Sequence, residues 1–473
     1  MKKKLIYALT LLLGIGVSGC SDFGDMNVNP AVTTQGSASA LLTNGISAMP
    51  GWTTERRPGW YAQYFTETQY PVSSLYSLNQ AGFTGSYSGP LYDLEAVKTM
   101  NAGNNMTQVA KIVQQFIFWQ LTDRWGDIPY SQALKGQEIG SPKYDTQEDV
   151  YKGMIKALTD ASAAIDGSAI NGDVLFNNDP AAWKRVANSL RMMMAIQLSK
   201  RFPTATGYAA TEFKAALAAN GGYIASNAQN MVYRYDGAGY SNPIWGWYNG
   251  RNDDGEAKTM TDMLSSLSDG RINPFGGNAQ FADQSSSLGV PYGLSEGNVR
   301  QWINANPGWA KVLRADLRAA NSPVYLLTAA QVTLARAEAA NLGWTTEVAS
   351  TVYEQGITLS FQQWGLTAPA ASYFTQTDVA LGTDNVKKIA TQQWIAAYPD
   401  GHIAWNVWRK TSFPVLTPAP AASNALKQIH RRYAYALSEY TNNAVNVQPA
   451  ADRLKLNGNL GDTNEARIWW DQN

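Results

Sequence analysis

A single cysteine in 473 residues excludes an intrachain disulfide and any cysteine-rich zinc site. Two histidines leave no material for multi-histidine metal chemistry. Only 16% of the chain is charged, and 37 basic side chains balance 37 acidic ones, so no cationic footprint for nucleic acid is present. The apolar stretch Leu5–Val17 stops short of the ~18 residues of a membrane-spanning helix. No H-E-x-x-H or P-loop fingerprint occurs. An apolar fraction of 45% nevertheless describes a folded chain, and 16 Trp with 24 Tyr give it an aromatic surplus.

The N-terminus reads as an address. Lys2, Lys3 and Lys4 precede the apolar stretch, which ends in Ser18-Gly19-Cys20. That order resembles the lipobox of bacterial lipoproteins, with residues 1–19 as the signal peptide and the lone Cys20 as the acylated residue. Several acyl chains on one residue would hold the protein firmly to a membrane. Removing three lysines leaves the mature chain slightly acidic. Residues 20–40, rich in Thr, Gly, Ser and Ala, read as a tether, and residues 41–473 as one domain.

Within that domain helical periodicity dominates. Val109, Ile112, Val113, Phe116 and Ile117 mark one apolar face, and Val150, Met154, Leu158, Ala161 and Ile165 mark another. Asp179-Pro180 signals a helix start. Further helices are expected at about 211–219, 256–267, 327–341, 346–361, 384–397 and 421–430. The clearest strand, 231–235, is expected to pair with 223–225. Helix pairs joined by short turns, with Ala335, Ala337, Ala339 and Gly343 in one of them, suggest a degenerate tetratricopeptide-like array. The fold class is therefore mainly α, with a helical-repeat scaffold, few short strands, and loop insertions at about 66–92 and 220–310.

Several motifs recur in a recognisable order: Gly126-Asp127-Ile128-Pro129-Tyr130 after an amphipathic helix, Trp183–Leu190, Ala337-Glu338-Ala339, Tyr353–Ile357, Ile389–Ala396, Ala404-Trp405, Arg409, and Arg431-Arg432-Tyr433 with Ser438-Glu439-Tyr440. In these the chain resembles the SusD/RagB family of nutrient-binding outer-membrane lipoproteins. Asp269-Gly270-Arg271 departs from the Asp-Pro-Arg typical of relatives, which is expected to loosen a turn. The resemblance implies a tetratricopeptide-like scaffold with a loop-built ligand lobe. It also implies a SusC-like TonB-dependent outer-membrane transporter as partner, a cell-exterior location and no catalysis. The motifs themselves read as scaffold, which leaves the loops for ligand.

Sugars offer C–H faces to aromatic rings and hydroxyls to amides, carboxylates and guanidinium groups. The loop 240–256 supplies Trp245, Trp247, Tyr248, Arg251, Asn252 and Asp253, with Trp245 and Trp247 on one face if the backbone is extended. A second candidate segment holds Tyr70, Tyr76, Asn79 and Tyr87, and a third Tyr292, Trp302 and Trp309. The leading function is capture of an oligosaccharide for the transporter. Capture of a peptide is the alternative within the family, and a glycoside hydrolase using Asp253 or Asp254 with Glu256 is the alternative outside it. The same acidic run offers hard oxygens of the kind Ca²⁺ takes, but without EF-hand spacing, so no cofactor is expected. His402 and His430 lie far apart in sequence and read as structural.

Overall fold

A computed structural model describes residues 36–78, 80–456 and 461–472. The signal peptide, Cys20, most of the tether, and Asn79 lie outside the described residues.

Eight helices build the scaffold in four consecutive pairs: α1 (Asn104–Trp125) with α2 (Gln147–Ala164), α3 (Pro180–Gln197) with α4 (Tyr208–Leu217), α5 (Ala329–Asn341) with α6 (Ala349–Gln363), and α7 (Asn385–Ala396) with α8 (Gly401–Thr411). Neighbouring pairs stack through α2 on α3, α3 on α5, and α5 on α7. This is the repeat architecture that the sequence anticipates. Local chemistry fixes the helix starts. Asp179 accepts from the Ala181 amide at 2.8 Å ahead of Pro180, and Thr328 with Gln331 forms a reciprocal capping box on α5. Small residues set the spacing within a pair. Ala335, Ala337 and Ala339 are buried, and a Cβ on Gly356 would sit 2.7 Å from Leu334, so α6 can approach α5 only through a glycine. None of the described helices is long and apolar enough to cross a membrane.

One buried carboxylate of the scaffold is fully partnered. Asp123 receives Tyr151 (2.5 Å), His402 (2.9 Å), Asn406 (2.5 Å) and Trp470 (3.0 Å). Burial holds the His402 imidazole down at about 4, which keeps it a neutral structural residue. Asp127 caps α2 by accepting from the Gln147 amide at 2.7 Å and pairs with Arg453 at 2.5 Å, so the motif after α1 is a corner piece.

The chain between α4 and α5 forms an inserted lobe of short elements. Strand β1 (Phe65–Glu67) pairs antiparallel with β2 (Asp254–Glu256), and β3 (Gly276–Asn278) pairs antiparallel with β4 (Ala310–Val312). A small core of Val290, Val299 and Trp309 lies beneath them, separate from the main one.

Three expectations need correction. The strand at Met231–Tyr233 pairs with Val324–Leu327 rather than with 223–225, so the lobe closes on its own far end. No helix forms at 421–430, where turns and extended backbone run instead. Gly270 does not loosen its turn: Arg271 folds back on Asp269 at 2.6 Å, wholly buried, and also bonds Ser360 at 2.9 Å and Gln392 at 2.7 Å. That ion pair ties the lobe to α6 and α7.

Candidate functional site

The densest candidate chemistry lies on a short helix, Pro243–Tyr248. Asn242 starts it by accepting from the Ile244 amide at 2.7 Å while its own amide group donates to the Ser322 carbonyl at 3.0 Å. A helix turns about 100° per residue, so positions two apart face about 200° from one another. The expected shared face of Trp245 and Trp247 therefore does not exist. Trp247 turns inward to 5% exposure, with the Phe65 ring at 5.3 Å and the Arg56 guanidinium 4.9 Å above it. It leaves the ligand set and anchors the helix. Trp245 turns outward to 37% exposure, and among the described residues it has neither a ring contact nor a bond to its indole N–H. The backbone between them is open, since a Cβ on Gly246 would meet no atom within 4 Å.

Tyr248 is a brace. Its hydroxyl donates to the Asp254 carbonyl at 2.9 Å and accepts from the Val312 amide at 2.8 Å, which joins β2 to β4. The Arg318 guanidinium sits 4.7 Å from its ring, and burial pushes the phenol well up. Just after it Arg251 and Asp253 pair at 2.5 Å, with Arg251 and Asn252 exposed. Thr68 staples this loop through its amide to the Asp253 carbonyl at 2.7 Å and its hydroxyl to that of Asn252.

The staple brings a further pair beside the loop. Gln69 and Tyr70 follow Thr68, and Arg300 donates to the Gln69 carbonyl at 3.2 Å with its guanidinium 5.4 Å from the Tyr70 ring. Tyr70 is 61% exposed. Arg300 was not among the expected residues. It lies far along the chain from Tyr70, and no periodicity links them.

The remaining candidates belong to the interior. Tyr76 is fully buried, its hydroxyl accepting from the Ala419 amide at 3.0 Å and its ring 5.4 Å from His430, so it is packing and not a ligand contact. Tyr292 donates to the Trp60 carbonyl at 2.8 Å, and Tyr87 to the Pro129 carbonyl at 2.6 Å. Trp302 is half-buried against the small core that also holds Trp309.

Of the acids proposed for hydrolysis, Asp254 and Glu256, the partner that either pairing requires, face inward on β2, while Asp253 lies just before it, half-buried and paired with Arg251. Asp254 is buried, paired with Arg56 at 2.9 Å and accepting from the Trp60 indole at 2.8 Å; burial outweighs that pairing and raises its carboxyl to about 7. Glu256 is buried with neither oxygen bonded, and its carboxyl is pushed well above the usual range by desolvation. Neither group is open to a glycosidic bond, so this pair cannot serve as acid and nucleophile. Among the described residues no group of three or more His, Cys, Asp or Glu side chains converges as a metal site would require.

What remains on the surface is an outward indole on a clamped helix, an adjacent guanidinium–carboxylate pair, and a tyrosine beneath an arginine. Such a ledge can stack on the flat face of a ligand and bond its hydroxyls.

The fold has known counterparts. A chitin-binding SusD homolog from Flavobacterium johnsoniae aligns at 22% identity over 92% of this chain and 98% of its own, with a TM-score of 0.79. A SusD homolog from Bacteroides uniformis aligns at 23% identity over 92% and 99%, with a TM-score of 0.79. One from Bacteroides thetaiotaomicron aligns at 23% over 93% and 100%, with a TM-score of 0.78. No curated protein matches the chain. The family model described as "SusD-like: starch-binding associating with outer membrane" matches residues 29–436, and the chain belongs to that family.

Proposed function

We propose that this protein captures an oligosaccharide at the cell exterior and passes it to a TonB-dependent, SusC-like transporter in the outer membrane, without chemical change to the sugar. The observation that carries the reading is Trp245. A large aromatic ring is held outward, with no ring contact and no indole bond among the described residues, on a helix whose other tryptophan is clamped. Rigidly displayed aromatics lower the ordering cost of binding. The Arg251–Asp253 pair, Asn252 and the Tyr70–Arg300 pair supply donors and acceptors for hydroxyls. A chitin-binding relative of the same fold supports a glycan as the ligand class. Cys20 is the proposed lipid attachment point, and it fits a family that associates with the outer membrane.

A binding screen of the full chain against neutral oligosaccharides and short peptides tests the ligand class. Saturable binding of at least one glycan and no peptide is expected, and the reverse would replace the sugar reading with peptide capture. Cys20→Ala is expected to move the protein from the membrane fraction to the soluble one. Retention in the membrane would remove the lipid anchor from the account.

A further inference from the structure

Most cations near the ledge are matched by a carboxylate. Arg56 pairs with Asp254 at 2.9 Å, Arg300 with Glu296 at 2.7 Å, Arg314 with Asp316 at 2.6 Å, and Arg251 with Asp253. Lys311 and Arg318 are not: among the described residues neither has a carboxylate at ion-pair distance.

The strand register brings these two cations together. Lys311 on β4 stands directly opposite Gly277 on β3. Opposed residues of an antiparallel pair project on the same face, with Cβ atoms about 5 Å apart. A Cβ on Gly277 would fall 2.7 Å from Arg318 Nη1, so the guanidinium fills the space that the glycine leaves beside Lys311. Both cations border the Tyr248 ring, Lys311 Nζ at 5.3 Å and the Arg318 guanidinium at 4.7 Å from its centre. Tyr248 follows Trp245 by three residues on the ledge helix, which sets the two about 60° apart round its axis and within one turn along it.

The donors of the pair are not used up. Arg318 spends Nη1 on the Leu313 carbonyl at 2.5 Å, while its Nε and Nη2 donate to no protein atom and reach solvent. Lys311 is half-buried and donates no hydrogen bond; its ammonium meets the faces of the Tyr248 and Trp309 rings, the latter at 5.9 Å. Burial holds that ammonium below the usual lysine range, and the Arg318 charge pushes the same way. An anion placed between the two cations would take up the open donors and offset their repulsion.

We propose that Lys311 and Arg318 form an anion subsite at the edge of the ledge, which takes an acidic substituent, a carboxylate or a sulfate ester, carried by the glycan that stacks on Trp245. The subsite rests on glycan capture at the ledge and narrows its ligand class: a neutral glycan uses the ring and the hydroxyl contacts, and its acidic counterpart adds the cation pair. The guanidinium fork suits either group, since each offers oxygens spread to match two donors.

Calorimetric titration of the full chain with two matched pairs tests this: trigalacturonate against its methyl ester, and the sulfate ester of chitotriose against chitotriose. In at least one pair the acidic member is expected to bind about tenfold tighter, and the pair that shows it tells a carboxylate from a sulfate. Raising salt from about 50 mM to about 500 mM should erase most of that advantage. Lys311→Gln should erase it as well, and Lys311→Arg should keep it. The salt series on the unaltered chain decides if Lys311→Gln proves unstable. No acidic preference in either pair, absent binding included, overturns the proposal, as does a preference that survives salt or a folded Lys311→Gln variant. A neutral glycan bound with no acidic preference removes this subsite alone, whereas no binding of any glycan removes capture as well.

Discussion

The helical scaffold and the inserted lobe use the same residue for opposite ends. In and around the scaffold Trp183, Trp394 and Trp405 are wholly buried, and each indole N–H is spent on a partner: Asp173 at 2.9 Å, the Ala62 carbonyl at 3.1 Å and the His430 carbonyl at 2.9 Å. In the lobe Trp247 follows that rule of burial, while Trp245 breaks it two residues away. A buried tryptophan contributes area and needs a polar partner; an exposed one held on a rigid element offers both face and N–H to a visitor. The difference is one of geometry, since the amino acid is identical. It places stability in the scaffold and, on the proposed function, recognition in the lobe.

The largest effect should come from cutting the scaffold. Trp405→Ala removes a ring packed against Tyr61 at 5.4 Å and beneath Arg409 at 3.6 Å. It should cost about 3–5 kcal/mol in urea unfolding, whereas Trp245→Ala should stay within about 0.5 kcal/mol. Equal losses would erase the division between the regions. Next comes the tie between them. Arg271→Leu strands Asp269 without its buried partner and should cost about 3 kcal/mol, with the lobe becoming more open to hydrogen exchange than the scaffold. A uniform rise in exchange would show that the two unfold as one unit.

A smaller effect should arise from the acids of β2. Folding raises the carboxyl of Asp254 to about 7 and that of Glu256 well above its usual value, so the folded state retains protons that unfolded carboxyls release near pH ~4. The share of stability set by these two acids should therefore be greatest below that pH and fall as pH rises toward 7. Glu256→Gln removes one of these ionisations and should stabilise the protein at pH 8 by about 1–2 kcal/mol. A loss of stability at pH 8 would mean that the Glu256 carboxylate has a partner that the described residues do not provide.

How much of this was legible in the sequence differed between the same two regions. The scaffold was readable because its helices bury one continuous face each: Val150, Met154, Leu158 and Ala161 predict α2, and all four are buried. The Asp179-Pro180 cap marked the start of α3. The lobe was not readable in the same way. Its contacts join residues far apart, as when Thr68 holds Asp253 or Arg300 covers Tyr70, and no local pattern encodes such pairings. Trp245 and Trp247 stand out as a pair in the sequence, but their differing orientations depend on a helix of six residues, too short to show a period. Tyr76 failed for a related reason. It lies in a Ser- and Tyr-rich loop that looks exposed, and its burial comes from residues beyond 290 that close over it.

The central claim is that Trp245 holds the ligand and Trp247 only holds Trp245. It is tested most directly by titrating one bound oligosaccharide, chosen from the neutral-glycan screen, into the full chain and into Trp245→Ala. We predict a loss of affinity of at least about tenfold, consistent with removal of one stacked ring, with the unfolding midpoint unchanged. An unchanged affinity at full saturation would contradict the account and move the site off the ledge.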